Sequence, residues 1–130
     1  MNNFIEKFDL KEYTKFFKEA FKKADLIAID LDCKIDDISR LSKGKYSFIR
    51  QCMIGTETHY ENHFPYTKVI LEKKYEVYEY LSKIDNWEDF SAYDNEVDLS
   101  IRGVDFIKDG ELIAFIVSHY RDYCSHFGWI

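Results

Sequence analysis

Gly103-Val104-Asp105-Phe106-Ile107-Lys108-Asp109-Gly110-Glu111-Leu112-Ile113-Ala114-Phe115-Ile116-Val117 is the stretch that decides the fold of this chain. Two apolar runs flank Asp109-Gly110, a residue pair favoured in two-residue type I′ turns. The stretch therefore predicts a β-hairpin. Pairing outward from Lys108 with Glu111 sets Phe106 opposite Ile113, Val104 opposite Phe115 and Arg102 opposite Val117. Apart from Arg102 that face is apolar and is expected to meet helices. The reverse face, Ile107 with Leu112 and Asp105 with Ala114, is mixed and half-wet. A third strand, Tyr123 to Trp129, is expected after a tight turn near Arg121-Asp122.

Upstream, residues 10 to 24 read as a helix. Tyr13, Phe16, Phe17, Ala20, Phe21 and Ala24 recur at three- and four-residue spacing, and Asp9 with Glu12 forms a cap-like pair before them. Lys11, Lys15, Lys18, Lys22 and Lys23 fall mostly on the other face, more naturally a solvated helix face than a nucleic-acid footprint. Asp25 to Cys33 reads two ways. Ile27, Ile29 and Leu31 alternate with polar or small residues as in a strand, yet Ala20, Ala24, Ile27 and Leu31 also continue the helical period; the strand is favoured. Ile35 to Leu41 reads as a short helix, and Tyr46 to Ile54 as a strand stopped by Gly55. Gly55 to Pro65 reads as a polar loop. Thr67 to Ile84 reads as a helix with Val69, Ile70, Leu71, Tyr75, Val77, Tyr78 and Leu81 on its apolar face. The whole predicts one α+β domain over residues 1–130, with N-terminal and central helices packed on an antiparallel sheet and a C-terminal β-hairpin.

The 130 residues carry 18 Lys and Arg against 24 Asp and Glu, a net charge of −6. Hydrophobic residues at 46% and charged residues at 32% describe a globular chain rather than a disordered one. An acidic balance argues against direct nucleic-acid binding, because phosphate is repelled unless a local basic patch overrides it. Aromatics are abundant, with 11 Phe, 10 Tyr and 2 Trp. Cys33, Cys52 and Cys124 are odd in number and widely spaced, so a reduced, cytoplasmic setting is expected rather than a disulfide framework. The N-terminus lacks the pattern of a secretory signal, and the longest apolar run, Leu112 to Val117, is too short to span a bilayer, so no membrane association is expected.

Three constellations bear on chemistry. His59 and His63 have His-x-x-x-His spacing, and His119, Cys124 and His126 lie near the other end of the chain. Histidines at i and i+4 share a zinc ion most readily on one helix face, but Pro65 and Gly55 make a helix there doubtful, and surface or turn histidines are the commoner case. No metal or other cofactor is assigned on this basis. Cys124 with His126 or His119 could form a nucleophile pair, although a buried cysteine acting as a small hydrophobe is more usual. There is no Gly-rich phosphate loop, Walker sequence or G-x-S-x-G.

The second constellation is Ala24-Asp25-Leu26-Ile27-Ala28-Ile29-Asp30-Leu31-Asp32, an apolar run ending in Asp-x-Asp. Such a strand can place two carboxylates at a sheet edge, a geometry suited to magnesium. It resembles the first motif of haloacid-dehalogenase-like phosphatases, with Cys33-Lys34 where that motif has Gly-Thr. It is also similar to the Ala-Asp-x-x-Ala-Ile-Asp-x-Glu segment of deadenylase-like exonucleases, with Asp32 in place of the Glu. Either resemblance implies a small metal-dependent phosphoesterase or nuclease in which Asp30 and Asp32 are the metal ligands. The blander reading, exposed acids at a strand end, is favoured.

The third constellation runs from Asp85 to Asp105, where seven acids and one base, Arg102, are interleaved with Trp87, Phe90 and Tyr93. Aromatic anchors in a carboxylate field suit a basic protein partner, the rings supplying buried contact area and the acids steering encounter. The alternative is a connection whose rings pack inward while its acids are merely solvated. The segment Gly103 to Ala114, followed by Ser118-His119, in a small acidic chain without a catalytic signature, resembles the immunity proteins of bacterial toxin systems, such as those paired with contact-dependent inhibition toxins. That resemblance implies a non-catalytic inhibitor that occludes a cognate toxin or nuclease. On that reading Trp87, Glu88, Asp89, Tyr93, Asp94, Glu96 and Asp98 are the partner-binding residues. A phage-encoded inhibitor of a host defence nuclease would share the same acidic-decoy physics.

Overall fold

Asp109 and Gly110 both take positive φ, 53° and 81°, and strands β5 (Ile101–Lys108) and β6 (Glu111–His119) run back from this turn as predicted. The computed structural model describes residues 3–5, 9–32, 41, 46–84, 91–119 and 124–130. Lys108 pairs with Glu111 and Ile107 with Leu112, but beyond them the expected register slips by one residue. A bulge admits Ile113 as an extra residue, so Phe106 faces Ala114, Val104 faces Ile116, Asp105 faces Phe115 and Gly103 faces Val117. Because side chains alternate along a strand, the slip exchanges the faces of β6. Ala114 and Ile116 are buried with Val104 and Phe106, while Ile113, Phe115 and Val117 are half-buried.

Among the described residues the hairpin belongs to one seven-stranded sheet. Strand β1 (Asn3–Ile5) pairs with β7 (Cys124–Trp129), which pairs with β6. On the other side β5 pairs with β2 (Leu26–Leu31), then come β4 (Phe64–Glu72) and β3 (Met53–Glu61). Every pairing among the described residues is antiparallel. The ambiguous residues after Ala24 are thus a strand. With β5 and β4 on its two sides, β2 satisfies its backbone in the sheet and buries Ile27, Ala28, Ile29 and Leu31.

Helices α1 (Leu10–Lys23), α2 (Tyr46–Cys52) and α3 (Tyr75–Ser82) pack on one face of the sheet, giving the α+β architecture expected. Asp9 caps α1 by accepting from the Glu12 amide at 3.0 Å, and Lys22 and Lys23 in the last turn complement the helix dipole. The aromatics of α1 interlock with the sheet. Phe16 meets Phe106, Phe127 and Trp129 at centroid distances of 5.8, 5.1 and 5.6 Å, and Phe17 meets Tyr78 of α3 at 5.4 Å. The buried Tyr13 hydroxyl donates to the Leu81 carbonyl at 2.7 Å, tying α1 to the end of α3. In this region the aromatic richness fills a core: each such ring contributes roughly 1.5–3 kcal/mol by leaving water.

Three expectations are corrected. Tyr46 to Ile54 is not a strand: Tyr46, Ile49 and Cys52 are buried at a spacing of three, the helical period of α2, and only Met53 and Ile54 enter β3. Gly55 to Pro65 is not a loop but most of the β3–β4 hairpin, turning at Asn62 and His63, whose φ angles of 50° and 70° make a type I′ turn. Thr67 to Ile84 is not one helix. Thr67, Val69 and Leu71 are buried alternately with half-buried Lys68 and Ile70, a period of two, and helix begins only at Tyr75. The short helix expected over residues 35–41 lies outside the described residues apart from Leu41, which is buried.

At Gly103 the β5–β6 pair is so close that a Cβ would lie 2.9 Å from the Ile116 carbonyl oxygen. The obstacle is backbone and cannot swing aside. Gly103→Ala is expected to cost about 1–3 kcal/mol by overpacking, read from the urea midpoint. A midpoint equal to that of the native protein would contradict this.

Candidate functional site

The acidic segment expected to bind a partner is described from Ser91 onward. Asp94 and Leu99 form an isolated antiparallel bridge, with Asp94 N–H donating to the Leu99 carbonyl at 2.8 Å and Leu99 N–H to the Asp94 carbonyl at 3.3 Å. Inside it the Asp94 carboxylate accepts from the Glu96 amide at 3.0 Å, an Asx-type turn, and Asp98 adopts a left-handed φ of 56°. Val97 and Leu99 are buried, and the Tyr46 hydroxyl of α2 donates to the Leu99 carbonyl at 3.1 Å. These contacts pin the loop to the core. Outward it presents Tyr93, 58% exposed, whose hydroxyl donates to the Asp98 carboxylate. Glu96 and Asp98 are also exposed, and Asp94 is half-buried.

Tyr93, Asp94, Glu96 and Asp98 are thus brought onto one turn, while Trp87, Glu88 and Asp89 lie outside the described residues. The composition-level expectation treated all the acids alike, but the structure separates their duties. Asp94 builds the turn and Asp98 holds Tyr93, while Glu96 stands on the exposed tip between them.

The carboxylates considered for a metal are placed differently. Asp30 on β2 is paired in register with Lys68 on β4, and Asp105 on β5 lies diagonally across. Lys68 Nζ donates to Asp105 and lies 2.9 Å from Asp30 Oδ1. The three side chains are only 16% (Lys68), 15% (Asp30) and 20% (Asp105) exposed. Burial, and then the neighbouring Asp105, push the Asp30 carboxyl above the usual carboxylate range against the pull of Lys68. Burial would lower the Lys68 ammonium, but the two carboxylates outweigh it and hold it above the ordinary lysine range. The cluster thus sets two carboxyl groups around one internal cation. Lys68 supplies the cation between Asp30 and Asp105, and sequence reasoning missed it by placing it on a helix. Asp32 is exposed at the end of β2, with its amide bonded to the Ser100 carbonyl at 2.9 Å.

The histidine spacing falls on a hairpin rather than a helix. His59 stacks on Tyr66 at 5.5 Å and contacts Glu57 at 2.9 Å, while His63 occupies the turn. Arg102 covers the same Tyr66 ring at 4.4 Å and pairs with Glu61, so this corner is a stacked, charged surface. His119 and Cys124 face one another in the β6–β7 ladder. Strands β3 and β6, which carry His59 and His119, are four spacings apart in the sheet, about 19 Å at the usual interstrand distance. Among the described residues no group of three or more His, Cys, Asp and Glu side chains is arranged to hold a metal ion.

Comparison with protein-family models, with characterised proteins and with solved structures gives no match to this chain. Among the described residues no helix is long and apolar enough to cross a membrane.

Proposed function

We propose that this protein is a non-catalytic inhibitor of the immunity type, binding a basic toxin or nuclease through the acidic, aromatic turn at Tyr93 to Asp98. The observation that carries this reading is the combination of an exposed aromatic ring and exposed carboxylates on a loop already braced by its own hydrogen bonds. A loop ordered before binding loses little entropy on docking. An exposed tyrosine can serve as an anchor, and the carboxylates, within a chain of net charge −6, attract a surface built to bind phosphate. An inhibitor of a host defence nuclease would dock through the same turn, and gene neighbourhood would separate the two, since finding a toxin gene immediately upstream would favour the immunity role.

The test begins with capture of partners from the source cell lysate at low and high salt. The expected result is a basic protein held one-to-one, weakened by salt, whose nucleic-acid cleavage stops on addition of the chain. Tyr93→Ala and Glu96→Lys are each expected to weaken that complex by about tenfold or more, the range of an interface anchor or an opposed charge. A captured nuclease that these variants bind and inhibit as well as the native chain does would remove this turn from the interface. Absence of any inhibited partner would end the inhibitor reading.

A further inference from the structure

Strand β3 closes one side of the sheet, and its only strand neighbour among the described residues is β4. It is nine residues long and contains neither Lys nor Pro, devices by which edge strands commonly resist pairing. In the two-residue Asn62-His63 hairpin, Glu61 and Phe64 are the closing pair, which in this turn geometry exchanges both backbone hydrogen bonds. The alternation then continues inward. Glu61, His59 and Glu57 direct their amides and carbonyls to β4, whereas Tyr60, Thr58 and Thr56 direct theirs out of the sheet. Thr56, Thr58 and Tyr60 are all exposed, Tyr60 by 67%.

We propose that this edge pairs with the same edge of a second copy of the chain, antiparallel about a two-fold axis through Thr58. In that register Thr58 faces Thr58 and exchanges both outward hydrogen bonds with it. Thr56 faces Tyr60 of the second copy on either side, so the outward-directed groups of the two strands coincide. The neighbouring pairs set Glu57 opposite His59 of the second copy, twice by symmetry. These are non-hydrogen-bonded positions, where opposed side chains come closest. Shifting the centre to Thr56 or Tyr60 instead sets Glu57 against Gly55 or His59 against Glu61, and loses one flank of the ladder to the bulge at Ile54 or to the turn. The centre at Thr58 is the one that keeps both flanks of the ladder intact, and it sets a histidine against a carboxylate on each side. The exposed Ile54, 59% accessible, lies just past the last such pair and diagonal to Tyr60 of the second copy, adding apolar contact at each end. The result is one continuous sheet through two copies, an isologous contact that closes on itself.

This inference does not rest on the inhibitor reading, since none of its premises involves the Tyr93 turn. It is tested by sedimentation equilibrium of the full chain over a wide concentration series, with amide exchange measured alongside. The native protein is expected to double in mass as concentration rises, with slower exchange at Thr56, Thr58 and Tyr60. Thr58→Pro removes an outward N–H that β4 does not use, so it is expected to remain folded and stay monomeric. A native chain that stays monomeric throughout, or a folded Thr58→Pro chain that still doubles, would overturn the proposal. Should Thr58→Pro not fold, charge variants decide. Glu57→Lys takes away the carboxylate opposite His59 and His59→Glu opposes carboxylates twice, so each is expected to lose self-association, and an equal mixture, which opposes the new lysine to the new glutamate, is expected to restore the doubled mass. A mixture that stays monomeric overturns the proposed register.

Discussion

Lys68→Met is expected to lower stability by about 3–5 kcal/mol, the cost of removing one partner from a largely desolvated ion cluster. Methionine fills most of the lysine volume, so little of the loss comes from packing. It comes from Asp30 and Asp105, which would lie diagonally across from one another at low exposure without the ammonium that offsets both. The pH dependence supplies a sharper signature. In the native protein the Asp30 carboxyl is raised, so between the ordinary carboxylate range and its folded value the native state binds more protons than the unfolded chain. Stability from this group is therefore present at acid pH and falls as pH rises through that window. Lys68 is raised too, so its contribution is complete below the ordinary lysine range and is lost as pH climbs through its higher folded value. Without Lys68 the Asp30 carboxyl rises further, and the acid-side decline moves toward neutrality. Urea unfolding across pH should show Lys68→Met least impaired in mild acid and most impaired at neutral pH. Asp30→Asn in the same background should recover much of the loss. A Lys68→Met protein within 1 kcal/mol of native at neutral pH, on the scale of an exposed pair, would show that the cluster is solvated.

Phe106→Ala is expected to cost a comparable amount, about 3–5 kcal/mol, and to lower Tm by roughly 10 °C or more. Phe106 is fully buried on β5 and meets Phe16 edge-on at 5.8 Å and Phe17 at 6.0 Å. Truncation removes the ring on which two residues of α1 rest, and the facing residue on β6 is Ala114, too small to fill the space. The interlocked rings of Phe127, Trp129 and Tyr78 leave α1 little freedom to settle into the cavity. Calorimetry would measure the loss. A shift of only a few degrees would mean that α1 is not held by this cluster.

Both effects arise from contacts that differ in how far a linear reading can see them. The Tyr13, Phe16, Phe17 and Ala20 stripe of α1 was legible because a helix face repeats within a few residues, and the Asp9 cap sits beside it. The Asp109-Gly110 turn was legible because positive φ is a local demand that few residue pairs meet. The bulge at Ile113 was not. An extra residue in one strand is set by the pairing partner, and the apolar run Leu112 to Val117 looks the same in either register. Strand β3 was missed because an edge strand with no fully buried residue needs no hydrophobic alternation, and Thr56, Glu57, Thr58 and His59 carry none. For β4, the contiguous Val69, Ile70 and Leu71 masked the period of two shown by Thr67, Val69 and Leu71.

The candidate site divides along the same line. An acidic, aromatic turn was visible in the composition of residues 93–98, but that Asp94 builds the turn, Asp98 holds Tyr93 and Tyr46 anchors Leu99 depended on how the chain comes back on itself. The α+β class, the first helix, the final hairpin and the charge of the molecule could be read from the linear chain, because each follows from neighbours within a few residues or from composition. Only the tertiary structure decided that residues 53–72 are paired strands, that β3 lies at an edge, and that Lys68 stands between Asp30 and Asp105. Strand order and ion-pair partners are relations between distant segments, and their energies exist only once those segments meet.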